Sequence, residues 1–454
     1  MASPLEWSLS EISARLADGR LRARALIEEA QSRHNPALNA YKTWAPDFAL
    51  RQADAADVAF AAGNRLGAQQ GIPVSVKDIY GVEGLPIFAG SPRELPKHWQ
   101  REGPLVRKLR NQIAVLMGKA HTVEFAFGGL GINAHWPAPW NPHDHKLHRS
   151  PGGPSSGAGV SLGEGTALIA LGTDTAGSVR IPASMTGNAG VKTTKGRWST
   201  DGVVPLSPTF DTTGLLARSA TDLAFAFQQL DGAPIPALPD LAGIKLGRAE
   251  RFFWEDTSPG VSERVEEALG LAAADGARVA DAALPAAKDV FELYHKGGIV
   301  APELYAFLAA ELPDWLETLD PRVRRRMEAG KGLPAWEYIQ HKERYAALGA
   351  DAASSLTAID ALVSPTVPIT PPPVADLTDD DVYIRTNLLA LRNTCPASFL
   401  GLCAVTLPAG RDVAGMPVGL QLVGAAGSET QLLAIAVRIE RLLARKGAWH
   451  YPGA

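Results

Sequence analysis

Apolar residues near the N-terminus recur at helical intervals. Leu9, Ile12, Leu16 and Leu21 keep close to a 3.6-residue repeat, behind Ser8 and Glu11 in capping-box spacing. This predicts helix over residues 8 to about 63, broken by a loop at Asn35-Pro36 before the Ala-rich run ALRQADAADVAFAAG. Residues 71–76, GIPVSV, are short, β-branched and bounded by Gly and Pro, so they predict a strand. That strand delivers Lys77 and Asp78 at its C-terminal end, where α/β sheets place function. Residues 105–109 read as helix, 113–118 as strand, 122–125 as the start of a short element, and 167–171 as an apolar segment of helical look. After a Pro-rich linker at 234–243 come a strand at 244–247 and an amphipathic helix at 261–274. Residues 304–345 read as mainly helical, with Trp315, Trp336 and Tyr338 able to line a groove, and 365–373 as a stiff Pro-rich crossover. Short apolar strands alternating with helical runs, and no repeat of fixed period, predict an α/β fold.

Composition narrows this little but excludes much. In 454 residues, 46% are hydrophobic and 20% charged, close to the globular average, so a sizeable core is expected. A formal net charge of -4, with no run of five like charges, speaks against nucleic acid or a polybasic membrane surface as partner. The two cysteines, Cys395 and Cys403, form neither a disulfide framework nor a zinc pair, which suits a reducing compartment. The N-terminus lacks the basic and apolar regions of a signal peptide, and no run is long enough to span a bilayer. A cytoplasmic protein is expected.

Chemistry concentrates in residues 149–197, where Gly and Ser crowd between apolar runs. Gly permits positive φ and close backbone approach, so this composition suits a site built of backbone. Ser155-Ser156 and Ser178 punctuate it. Ser178 follows Thr175-Ala176-Gly177, small residues able to aim consecutive N–H groups inward as anion nests do. Gly159-Val160-Ser161-Leu162-Gly163 matches the G-x-S-x-G elbow of α/β-hydrolases, but PGGPSSGAG precedes it where an elbow needs a strong apolar strand. Four histidines, His135, His143, His145 and His148, share a Pro and aromatic-rich loop. No two stand at helical i,i+4 spacing and prolines break the segment, so a rigid surface loop bordering the cleft is favoured over zinc.

Three runs carry a resemblance: PVSVKDIYGVEGLP at 73–86, GTDTAGSVRIPA at 172–183, and GNAGVKTTKGRWSTDGVVPLSPTFDTTGLLARS at 187–219. They resemble the amidase signature family, serine hydrolases that cleave amides with a Ser, a second Ser preceded by a cis peptide bond, and a Lys. Echoes at 361–368 and 416–424 extend the likeness over nearly the whole chain. The resemblance implies a single large domain with a mixed central sheet flanked by helices: N-terminal helices over 1–65, a signature core over 66–233, a variable cover over 241–381, and a C-terminal part of the same sheet over 382–454. It implies Ser178 as nucleophile, Lys77 as base and the backbone of Thr175, Ala176 and Gly177 as oxyanion hole, with no metal or cofactor. A lysine with a pKa near 10.4 must lose affinity for its proton through burial to act as base; otherwise Lys77 is a solvated charge or a partner of Asp78. Asp174 and Arg180, flanking the nucleophile, read as a charged pair that shapes the turn.

The chain departs from the family at PGGPSSGAG. Aligned without a gap from Ser178, the cis serine's place is held by Pro154. Proline tolerates a cis bond but has no hydroxyl, so Ser155 is the expected surrogate relay, ahead of Ser156 or a water. Trp136, Trp140 and low charge on the cover lead to an uncharged amide, anilide or urethane as the expected substrate. The alternatives are a non-catalytic subunit or binding protein of the same fold and an esterase using Ser161. A homodimer stays open.

Overall fold

The computed structural model describes residues 3–296 and 298–450. Its strands are β1 (Tyr41–Trp44), β2 (Pro73–Lys77), β3 (Val115–Ala120), β4 (Ile169–Asp174), β5 (Ala189–Lys192), β6 (Thr212–Ala217), β7 (Lys245–Ala249), β8 (Arg278–Ala282), β9 (Ala361–Pro365), β10 (Cys403–Arg411) and β11 (Pro417–Gly424). They form one 11-stranded sheet in the order β1-β3-β2-β4-β6-β5-β10-β11-β9-β7-β8. It is mixed: β2 runs parallel to β3 and β4, whereas β4 is antiparallel to β6 and β10 to β11. Strands β2 to β6, β9 and β11 are buried at every residue, so that even polar members such as Ser75, Lys77 and Gln421 are enclosed. Helices cover the sheet with apolar stripes such as Leu9, Ile12 and Leu16 of Leu9–Ala17, capped by Ser8 Oγ at Glu11 N.

Four expectations change. Residues 169–171 open β4 and are not helical: a short apolar run bounded by glycines is ambiguous by periodicity, and burial between β2 and β6 settles it as strand. Tyr41–Trp44, within the predicted helical stretch, is an edge strand antiparallel to β3. The 241–381 segment is more than a cover, because β7, β8 and β9 extend the same sheet. Trp315 is buried with Arg93 over its ring, Trp336 is exposed, and Tyr338 donates to Glu303, so these three line no common cavity among the described residues. No helix among the described residues is long and apolar enough to cross a membrane.

Candidate active site

Parallel pairing matches Val76 of β2 with Leu171 of β4 and so sets Lys77 abreast of Gly172 and Thr173. Lys77 is fully buried, and its Nζ donates to Thr173 Oγ1 at 2.8 Å. Asp78 is not its partner: that carboxylate takes Lys119 Nζ at 2.9 Å and the amide of Phe88 at 3.1 Å. Burial against a neutral hydroxyl lowers the Lys77 pKa to about 7, because the carboxylates that act on it, Asp211 and Asp174, oppose the shift too weakly to cancel it.

The turn after β4 is organised by Asp174. Its carboxylate accepts the amides of Gly177 at 2.7 Å and Val179 at 3.2 Å, and is gripped by Arg180 through two bonds of 2.9 Å. Arg180 reaches on to Gln421 and Ser398. Burial alone would raise the Asp174 pKa, but the Arg180 guanidinium, together with Lys192 and the Val179 amide, outweighs it and holds the acid at about 2. Only glycine fits position 177, where φ is +140° and a Cβ would stand 2.1 Å from Thr394 Oγ1. With Gly177 N engaged by Asp174, the N–H groups of Thr175, Ala176 and Ser178 are the ones left without a partner among the described residues. Those three residues, and not Gly177, line the cleft in which Ser178 stands, 4% exposed.

Opposite the turn, the Gly153-Pro154 peptide is cis and Pro154 lines the same cleft. Ser155 precedes the helix Ser156–Glu164; its amide donates to the Ser178 carbonyl at 3.4 Å and its Oγ to the Thr173 carbonyl at 3.5 Å. Ser156 Oγ donates to the Pro154 carbonyl and also meets His121. Ser161 is no elbow. It lies inside that helix, fully buried, bonded to Ser75 Oγ at 2.8 Å and the Ala158 carbonyl at 2.9 Å, with no route to a substrate.

Ser178's cleft is narrow, about 10 Å³, room for about one water. It shares Phe127, Tyr294, Val300 and Arg326 with an outer chamber of about 250 Å³. One wall is bent: Phe125 and Ala126 take φ of 46° and 57°, left-handed for residues other than glycine. A larger concavity of about 830 Å³ around Trp99 and Phe307 contains none of the site residues. Trp136 and Trp140 line neither cavity. Trp136 lies under Lys42 and bonds the Ser91 carbonyl, while Trp140 stacks on His148. Of the loop histidines, His143 meets the Thr186 carbonyl and His135 lies 3.2 Å from Glu124. No group of three His, Cys, Asp or Glu side chains able to hold a metal occurs among the described residues.

Sequence reasoning passed over Thr173, Asp211 and Arg326. Thr173 sits inside the GTDTAGS run, but only strand register reveals that it faces Lys77. Asp211 gathers Thr175 Oγ1 and the amides of Leu206 and Ser207 beneath the turn. Arg326 belongs to the basic run RVRRRM, which reads as a solvated helix face until the fold turns one of its arginines inward.

The chain is similar to known proteins over most of its length. A family model described as Amidase matches residues 23–433. The chain is 47% identical to 2-amino-5-chloromuconic acid deaminase of Comamonas testosteroni, over 96% of each chain. It is 31% identical to mandelamide hydrolase of Pseudomonas putida, over 97% of this chain and 92% of that one. A solved amidase structure superposes with a TM-score of 0.85 at 31% identity, covering 96% of this chain and 99% of the other.

Proposed function

Because the chain belongs to the amidase family and is a hydrolase acting on C–N amide bonds, we propose that it cleaves a small amide through an acyl-enzyme on Ser178. Lys77 is the base. The observation that carries this reading is the buried Lys77 amine, held against a neutral hydroxyl beside a turn whose unpartnered N–H groups surround a cleft-lining serine.

Ser178 Oγ attacks the carbonyl carbon and its proton passes to the neutral Lys77 amine. Ser155 is the first candidate to relay it, and Thr173, bonded to Lys77, is the second. The N–H groups of Thr175, Ala176 and Ser178 receive the developing oxyanion, a modest shift from the hole expected at 175–177, since Gly177 is committed to Asp174. The C–N bond then breaks, the proton returns to the leaving nitrogen, and an ester on Ser178 remains. Water attacks that ester with Lys77 again taking the proton, and the free acid leaves. No step calls for a metal or cofactor.

Release of ammonia from a small molecule is favoured, because a relative 47% identical over almost its whole length is a deaminase. Anilide or urethane hydrolysis, expected from Trp136, Trp140 and the low charge of the cover, loses its aromatic support, because neither tryptophan lines either cavity. The test is rapid quenching of wild-type protein with a panel of primary amides and carbamates, followed by mass spectrometry. An acyl adduct on the Ser178 peptide is expected, with Ser178→Ala inactive and Ser161→Ala active. An adduct on any other residue, or an active Ser178→Ala protein, would overturn the reading.

A further inference from the structure

The wall common to Ser178's cleft and the outer chamber carries one cationic group, Arg326. Its contacts hold it in place without neutralising it. It donates to the Phe127 carbonyl at 2.8 Å and to Tyr294 Oη at 2.7 Å, and its guanidinium lies 3.8 Å from the centre of the Phe127 ring. Both hydrogen-bond partners are uncharged. A guanidinium is always protonated and offers five N–H donors in a planar fork, so three are unspent among the described residues.

Two further donors stand close to it. Tyr294, on the shared wall, accepts from Arg326, and its own O–H donates to nothing among the described residues. Asn387, in the outer chamber, is buried and spends its Oδ1 on the Gly129 amide at 2.7 Å, leaving Nδ2 without an acceptor among the described residues. Arg325 and His295 add basic character to the chamber, and no Asp or Glu lines either cavity. A cation fixed by neutral groups, flanked by unspent donors and free of competing carboxylates, is complementary to an anion with planar oxygens.

We infer that the substrate carries a carboxylate, which Arg326 binds with Tyr294 and Asn387 while the scissile C–N group lies at Ser178. The inference rests on Ser178 as the reacting serine and names the substrate class: a small acid bearing an amide or comparable C–N group on a short chain. It replaces the uncharged substrate expected from the tryptophans. A bidentate guanidinium-carboxylate pair fixes orientation as well as position, which is how a short, flexible substrate is brought to attack geometry.

The experiment compares primary amides in isosteric pairs, succinamate with butanamide and glutaramate with pentanamide, by ammonia release. The wild-type kcat/KM is expected to favour the acids by roughly 100-fold, the scale of a charge-assisted pair. Arg326→Gln should cost the acid roughly 100-fold more than the neutral amide, Arg326→Lys should restore part of the preference, and Tyr294→Phe should weaken it several-fold. Binding is measured separately by calorimetry, titrating succinate, glutarate and adipate into Ser178→Ala protein and into the Ser178→Ala, Arg326→Gln double variant. Binding to the first and its loss in the second is expected. Neutral amides turned over as well as the acids, equal losses on both in Arg326→Gln, or dicarboxylate binding that survives the double variant would each overturn the inference. Should Arg326→Gln fail to fold, Arg326→Lys and Tyr294→Phe carry the same comparison. If no amide is hydrolysed but dicarboxylates bind through Arg326, the amide reading fails and the carboxylate site stands.

Discussion

As the proposed base, Lys77 has to be neutral to take the proton of Ser178, and its surroundings set when that is. Burial, with a hydroxyl as its side-chain hydrogen-bond partner, lowers its pKa to about 7. The free-enzyme kcat/KM should therefore rise with pH through about 7 and level off above it. Lys77→Met should be inactive at every pH; a Met variant of near-normal rate would remove Lys77 from the mechanism. The relay is testable at the same scale. Ser155→Ala is expected to cost on the order of 100-fold, and Thr173→Val, which strips the hydroxyl from Lys77, at least as much. Stopped kinetics on both variants decide the path: an unimpaired Ser155→Ala protein leaves Thr173 as the hydroxyl that serves the base.

At the scale of elements, the site depends on how closely the helix Ser156–Glu164 approaches the end of β3. A Cβ on Gly157 would stand 2.1 Å from the Ala40 carbonyl oxygen and 2.3 Å from His121 N, backbone atoms that cannot yield cheaply. Gly157→Ala should push the helix and its leading Ser155 off the sheet, lowering stability by about 1–3 kcal/mol and activity with it. Gly270, in the helix Val261–Ala274, provides the contrast, because nothing lies within 4 Å of an added Cβ there. Gly270→Ala should raise stability by about 0.5–1 kcal/mol through helix propensity. Denaturation midpoints check both, and a Gly157→Ala protein as stable as wild type would show that the helix is free to move.

For the whole molecule, placing an amine in the core links stability to pH. The folded pKa of Lys77, about 7, lies below its ordinary 10.5, so the native state binds fewer protons than the unfolded chain between those values. Its unfavourable contribution is therefore complete below pH 7 and is relieved as pH rises toward 10.5. Lys77→Met should raise Tm near pH 6.5, by about 2 °C or more, and its advantage should shrink by pH 9. Calorimetry at the two pH values tests this, and an advantage that grows with pH would contradict the burial argument. Burial that would keep the proposed base neutral thus lowers the stability of the fold that surrounds it.

Local pattern in the sequence determined the α/β class and the Gly-rich stretch around Ser178, because strand and helix patterns and Gly-rich turns are local properties of the chain; the single mixed sheet and the choice of Lys77 and Ser178 were implied by the resemblance to the amidase signature family. It also marked Pro154 as the place where the serine hydroxyl is missing. Tertiary structure decided what depends on neighbours remote in sequence. Residues 169–171 became strand because β2 and β6 bury them on both sides. Asp78 was taken by Lys119, and Thr173 was left to meet Lys77. Gly177 was claimed by Asp174, so the free amides are those of Thr175, Ala176 and Ser178. Arg326 lies 148 positions beyond Ser178 in a basic run that looks solvated, and only the packing of its helix over Phe127 and Tyr294 turns it into a wall of the cleft that holds Ser178. Chemistry of this kind is set by distance in space, and the chain's local pattern does not encode that distance.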